Sequence, residues 1–263
     1  TPKSNLTVMK VLKFLGIIVC IILVLAIAVG AYVKIALPNV GPAPVVKIES
    51  TPERIERGKY LANHVTLCID CHRTRDWSKY AGPMLSSEFG GGGEIFDQTL
   101  GFPGKFIAKN ITPYHLGDWT DGEVLRAVTE GVNKDGKALF PIMGYHRFGQ
   151  MGQEDIYSII AYIRTLAPVK KDIPASEADF PFNFIINTLP QKAAFSKRPP
   201  ESDLLAYGKY IINASGCVEC HSKRDKGETV PGTEFGGGME FPQPAGIVRS
   251  ANITMDKEHG IGT

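Results

Sequence analysis

Excess charge of either sign is almost missing from this chain. Its 263 residues hold 29 Lys and Arg against 27 Asp and Glu, a formal charge of +2. That balance argues against a nucleic-acid role, which needs a basic field. Cysteine is scarce as well. There are five, and an odd number leaves one over from any intrachain disulfide framework. What is plentiful is glycine, 28 residues, together with 18 prolines, so loop-rich domains are expected. At 43% hydrophobic and 21% charged the chain is globular and not disordered. Its length allows one or two domains.

There is one long apolar run. Phe14 to Val33 reads FLGIIVCIILVLAIAVGAYV, 20 positions without a charge. At the helical rise this spans roughly the 30 Å hydrocarbon core of a bilayer. Lys3, Lys10 and Lys13 precede it and Lys34 follows. The positive-inside rule then puts the N-terminus in the cytoplasm and the remainder outside, in the periplasm of a bacterial inner membrane. The run is longer than a signal-peptide core, and Tyr32-Val33-Lys34-Ile35 is a poor cleavage site, so residues 1–36 read as an uncleaved anchor. Cys20 lies mid-span as a small packing residue. Residues 37–52 carry four prolines and read as a semi-extended tether away from the membrane.

The remainder repeats itself. ERGKYLANHVTLCIDCHRTRD (56–76) matches AYGKYIINASGCVECHSKRD (206–225), EFGGGGEIF (88–96) matches EFGGGMEF (234–241), and NIT at 110–112 matches NIT at 252–254. Order and spacing agree, which marks a tandem duplication. The units fall at 53–168 and 203–263. The linker between them, 169–202, carries an apolar middle, FPFNFIINTL (180–189), too apolar to be free and too short to span a bilayer. It is expected to pack across domain surfaces or a partner. The second unit stops before a counterpart of Met143 is reached, so the sequence reads as a fragment.

Each unit opens with Cys-x-x-Cys-His: Cys68, Cys71 and His72, then Cys217, Cys220 and His221. This is the pattern of c-type haem attachment. Two thiols three positions apart add to the two vinyl groups on one porphyrin edge, and the adjacent imidazole reaches the iron. Zinc would need four N or S ligands together, and a thioredoxin-like pair would need a βαβ setting; neither is visible. Two covalently attached haems are expected, with a further one if the chain continues.

The first distal ligand is expected at Met143, in the loop FPIMGYHRFG between two helical segments. The first segment follows an N-cap at Thr120 or Asp121. The second runs Gln153 to Leu166, with Ile156, Ile159, Ile160, Ile163 and Leu166 on one stripe. Gly58 would let the first helix approach Tyr162 in the last. Met84, Met151, His115 and His146 are the alternatives to Met143. Met239, Met255 and His259 leave the second distal ligand open. Trp119, Arg73, Arg126, Tyr60 and Tyr145 are candidates for propionate bonds. The glycine stretches at 90–93 and 236–238 lack the Lys-Ser/Thr of a phosphate loop and read as tight backbone beside the haem. The fold class is mainly α: an N-terminal transmembrane helix and tandem class I cytochrome c domains.

The landmarks Gly58-x-Tyr60-Leu61, CIDCH, EFGGG, NITP, GDW with TDGE, LFPIM, EDI, AYIRTL and the linker FPFN, then NIT and GIGT, occur in one order over 55–262. In this the chain resembles the membrane-bound cytochrome c subunits of bacterial quinoprotein and flavoprotein dehydrogenases, such as those for alcohols, gluconate and aldehydes. The resemblance implies covalent haem on Cys68, Cys71, Cys217 and Cys220. It implies proximal ligation by His72 and His221, and distal ligation by Met143. It also implies electron transfer from a catalytic subunit toward ubiquinone or an oxidase. Three features depart from the family pattern. Two haem units are begun where the family has three, Phe184-Ile185-Ile186 follows FPFN where a basic residue is usual, and the anchor is N-terminal.

The function expected is electron transfer without substrate chemistry of its own, as the electron-accepting subunit of an inner-membrane dehydrogenase. The alternative is a subunit or carrier joining a quinol-oxidising complex to a terminal oxidase. A di-haem peroxidase would need an acid/base constellation, and none stands out.

Overall fold

The computed structural model describes residues 2–76, 78–79, 82–225, 227–243 and 246–262, so Thr263 of the GIGT landmark lies outside the described residues. Helix α1 is Pro2–Ile35, and its part Val8–Ile35 is long and apolar enough to cross a membrane, with none of it buried in the protein.

In the first repeat Thr51 caps α2 (Pro52–Tyr60) by accepting the Arg54 amide, and a π-helical turn over Leu61–Val65 carries the chain into the one-turn helix α3 (Cys68–Cys71). A short antiparallel hairpin follows, β1 (Ile95–Phe96) with β2 (Gly104–Ile107), then α4 (Pro113–Leu116) and α5 (Asp121–Glu130). Thr120 is the N-cap of α5, in a capping box with Glu123. One-turn α6 (Tyr145–Phe148) and α7 (Gln153–Arg164) complete the unit.

The predicted stripe of α7 is the core: Ile156, Ile159, Ile160, Ile163 and Leu166 are all buried, together with Leu61, Val65 and Ile69. α2 crosses α7 at Gly58. A Cβ there would stand 1.8 Å from the Ser158 carbonyl oxygen and 2.9 Å from Tyr162 Cβ, so only glycine allows the crossing.

The 37–52 segment does not hang free. Val40 and Ile48 are buried, the Ile48 amide donates to Asp121 Oδ2 at 2.8 Å, and Arg126 Nη1 donates to the Gly41 carbonyl. Its prolines stiffen it, but its alternating apolar residues bury against α5, a tertiary effect that composition does not reveal.

The linker also packs, as expected. Strand β3 (Glu177–Ala178) joins β2, and α8 (Phe182–Ile185) sends Phe182 edge-on to Phe106 and Phe140. Farther along, the Ala194 and Ser196 amides donate to the Gly149 and Met151 carbonyls.

The second repeat opens with α9 (Leu204–Ser215), capped by Asp203, and α10 (Cys217–Cys220). Two hairpins follow, β4 (Arg224–Asp225) with β5 (Glu228–Thr229) and β6 (Glu240–Gln243) with β7 (Gly246–Arg249). α9 lies against the first repeat. Its Tyr210 hydroxyl donates to Asp155 Oδ2 at 2.7 Å and accepts the Gly152 amide at 3.0 Å. Asp155, 2% exposed, also takes both prongs of Arg57, at 3.0 and 2.9 Å, and Arg198 at 3.2 Å. Two cations and a phenol around one buried carboxylate tie α2, α7, the linker and α9 together.

Candidate haem-attachment sites

Both motifs are built alike. A single helical turn presents the two cysteines of each pair, and all four thiols are free. The adjacent histidine is then held by its backbone-facing nitrogen. His72 Nδ1 lies 2.6 Å from the Lys109 carbonyl, and His221 Nδ1 lies 2.7 Å from the Ala251 carbonyl. A carbonyl only accepts, so Nδ1 carries a proton and Nε2 is the nitrogen left to ligate. Burial pushes His72 below the usual imidazole value, against the opposing pull of its bond to Lys109, which favours that neutral form. Burial also pushes Cys71 up to about 11, with Asp70 adding to the effect, and pushes Cys68 up, so both thiols are neutral at pH 7.

The repeated glycine and NIT landmarks explain how the histidines are held. Gly92 and Gly237 donate their amides to the His72 and His221 carbonyls at 3.1 and 2.9 Å. Gly93 and Gly238 donate to the carbonyls of Ala108 and Ser250, both at 2.9 Å. Gly92 and Gly237 have φ of +71° and +74°, and a Cβ on either would stand 2.5 Å from backbone of the segment that supplies the histidine's acceptor, just past β2 or β7. Asn110 and Asn252 each accept the amide and hydroxyl of the Thr two residues on, which shapes that segment. Asn110, buried, also donates to the Val169 and Lys171 carbonyls and so receives the linker.

The glycine runs differ by one residue, and the structure locates the difference. The Ile111 amide donates to the Gly90 carbonyl, whereas the Ile253 amide donates to that of Phe235. Phe235, with φ of +62°, therefore takes the left-handed place of Gly90. Sequence matching by the two EFGGG strings does not show this.

Met143 ends a 3-10 turn, Pro141–Met143, half-buried and followed by Gly144 in the left-handed region. The alternatives are otherwise engaged. Met84 Sδ accepts from Arg73 Nη1 at 3.5 Å, and Met151 is 1% exposed in the core. His146 faces Glu219 at 3.5 Å, and His115 lies beside Trp119. Of the propionate candidates, Arg126 bonds the Asn133 and Lys134 carbonyls, and Arg73 bonds the Leu85 carbonyl above the Phe89 ring. Tyr60 lies under Arg57, and Trp119 lies under Lys134. Two donor atoms among these candidates are buried with no partner, Arg126 Nε and the Tyr145 hydroxyl; burial pushes the Tyr145 pKa up to about 12, so it is a neutral donor in need of an acceptor.

A contact that sequence reading missed joins the two sites. Arg147, in α6 just past Met143, donates to Glu219, which lies inside the second haem motif. Burial opposes ionisation of Glu219, but His146 and Arg147 hold its carboxyl below the usual range. The one available signal was a lone acid inside CVECH, which sequence alone leaves exposed.

The donor set therefore fits a covalently attached haem: paired thiols, a neighbouring imidazole whose Nε2 is left to ligate, a glycine-lined backbone and an orphaned buried hydroxyl. Among the described residues no three His, Cys, Asp or Glu side chains gather as a metal cluster of their own. No family model matches the chain. Its similarity to curated proteins points the same way. The chain is 27% identical over 253 residues, 90% of its own length, to the fructose dehydrogenase cytochrome subunit of Gluconobacter japonicus, of which that covers 48%.

This chain is homologous to cytochrome c subunits of dehydrogenases.

It is also 28% identical over 202 residues to the cytochrome c subunit of the quinone-dependent alcohol dehydrogenase of Gluconobacter oxydans, covering 71% of the chain and 39% of that protein. To a diheme cytochrome c-type protein of Cereibacter sphaeroides it is 28% identical over 167 residues, covering 60% of the chain and 54% of that protein. The chain thus spans about half or less of the length of these curated relatives. By their names these relatives are cytochrome subunits, one of them diheme.

Proposed function

We propose that the chain is a membrane-anchored cytochrome carrying two covalent haems, which accepts electrons from a dehydrogenase subunit on the periplasmic face. The observation that carries this reading is the matched holding of His72 and His221, each by Nδ1 on a backbone carbonyl. One functional holder is a motif; two built alike, in contact through Arg147 and Glu219, are a relay.

When bound, each haem supplies a one-electron carrier. The chain's own residues do the rest. Cys68 with Cys71, and Cys217 with Cys220, would tether the groups, and His72 and His221 would ligate through Nε2. Met143 would supply the second protein ligand of the first haem, where a thioether favours the reduced state. Tyr145 would have its spare hydroxyl hydrogen to offer a propionate. α1 crosses the inner membrane with its N-terminus in the cytoplasm, which keeps both haem units on one side of it.

The test is gentle detergent extraction from native membranes with mass spectrometry of what co-purifies. A dehydrogenase with a flavin or quinone cofactor supports the reading. Terminal-oxidase or quinol-oxidising subunits in its place would overturn the partner assignment and favour the carrier role.

A further inference from the structure

The apolar linker segment meets the outer end of α1. Lys34 Nζ donates to the Asn183 carbonyl at 3.2 Å and stands 4.8 Å from the Phe184 ring centroid. A Cβ on Gly30 would lie 3.9 Å from Phe184 Cε1, so the ring rests on the last apolar turn of α1. Lys34 is the first charge after the run Phe14–Val33. A lysine in that place marks the level of the headgroups, and whatever packs between Gly30 and Lys34 shares that level.

From Phe180 to Pro190 the segment has no charge. One side of it is fixed to protein, with Phe182 edge-on to Phe106 and Phe140. The other side is bare. Phe180 is 80% exposed and Ile185 44% exposed, and Ile35, the last residue of α1, is 85% exposed. Exposed aromatic and aliphatic residues grouped at the end of an apolar helix are the pattern of an interfacial element, too short to span and too apolar for water.

We propose that Phe180–Leu189 rests in the boundary layer of the same bilayer that α1 crosses, so the haem-bearing unit is held to the membrane at two points. This rests on the reading of α1 as a membrane span. The occupant of the bare side is lipid, because the segment packs through Phe184 and Asn183 on the last apolar turn of α1. Through Phe182 and Phe140 the segment also touches the turn that ends in Met143. The second attachment therefore turns that edge of the first repeat toward the membrane.

Nitroxide labels on the full haem-loaded chain test this, in vesicles of phosphatidylethanolamine and phosphatidylglycerol. The variants are Leu25→Cys, Ile185→Cys and Asp118→Cys, each with Cys20→Ala. Power saturation compares collision with oxygen and with a water-soluble nickel chelate. The label at 185 is expected to collide with nickel several-fold less than that at 118, and to sit shallower than that at 25. Equal nickel access at 185 and 118, with 25 deep, would overturn the second attachment and leave the span; the bare side would then be left for a protein partner. Nickel access at 25 equal to that at 118 would overturn both.

Discussion

Around His72 and around His221 the chain makes the same contacts: an Nδ1 bond to a carbonyl just past a short strand, a glycine amide on the histidine carbonyl, and a second glycine pinning the segment after that strand. Beyond that shell the two repeats differ. The first is closed by its own helices, with α2 crossing α7 at Gly58 over a buried isoleucine stripe. In the second, α9 lays Tyr207 and Tyr210 on Arg57 and Asp155 of the first. The β6–β7 hairpin is exposed along β7, whereas Phe106 of the equivalent β2 is buried. The loop that holds the histidine is thus specified locally, by glycine and an Asn-x-Thr turn. The burial around it is supplied from elsewhere in the chain.

If both loops hold haem, removing one cysteine pair costs one haem and spares the other. Cys217→Ser with Cys220→Ser, and Cys68→Ser with Cys71→Ser, should each halve covalent haem measured as the pyridine haemochrome. The first-repeat pair should also destabilise the fold, because Cys68 packs against its core.

Next in size is the junction. Asp155→Ala strips Arg57 and Arg198 of their buried partner, a change expected to cost about 3–5 kcal/mol. Urea unfolding should show it, with the second repeat losing its attachment first. A loss below about 1 kcal/mol would mean that the two repeats stand independently.

Gly92→Ala and Gly237→Ala compare the loops directly. Each places a Cβ against backbone in a left-handed conformation, for about 1–3 kcal/mol. Near-equal losses, read from thermal unfolding of the haem-loaded chain, are expected if the loops are equivalent. Unequal losses would show that the first depends on its surrounding helices.

Arg147 and Glu219 sharpen the comparison from the other side. Arg147→Met leaves the Glu219 carboxylate with His146 as its remaining partner and should lower that haem's reduction potential. Glu219→Gln leaves the guanidinium unpaired and should raise it. A shift of up to about tenfold in electron distribution, ~59 mV for one electron, is the scale. A purely mechanical role would not give opposite signs.

The smallest effect is on the linker. The Lys171 ammonium, and then the Thr74 hydroxyl, hold the Glu88 carboxyl below its usual value. That contribution is complete above the unfolded value of about 4.3 and is lost as pH falls through the lower folded value. Glu88→Gln should remove under ~1 kcal/mol at pH 7 and flatten the acid limb of stability against pH.

The α7 stripe and the Thr120 cap were legible, because each depends on local spacing. The Gly58 crossing was legible too, since a glycine inside a helix needs a close neighbour to explain it. The rest depends on contacts far apart in the chain. Ile48 on Asp121, Asp155 under Arg57 and Tyr210, and Arg147 on Glu219 join residues whose own neighbours give no sign of a partner. The replacement of Gly90 by Phe235 was hidden for a different reason: matching by residue type hides a backbone equivalence.

The most direct measurement is the ratio of covalently bound haem to polypeptide in the intact chain, from alkaline pyridine haemochrome absorbance against amino-acid analysis. Two haems per chain is the expected result. A ratio of one would show that the matched hold on His72 and His221 does not suffice, and would contradict the relay.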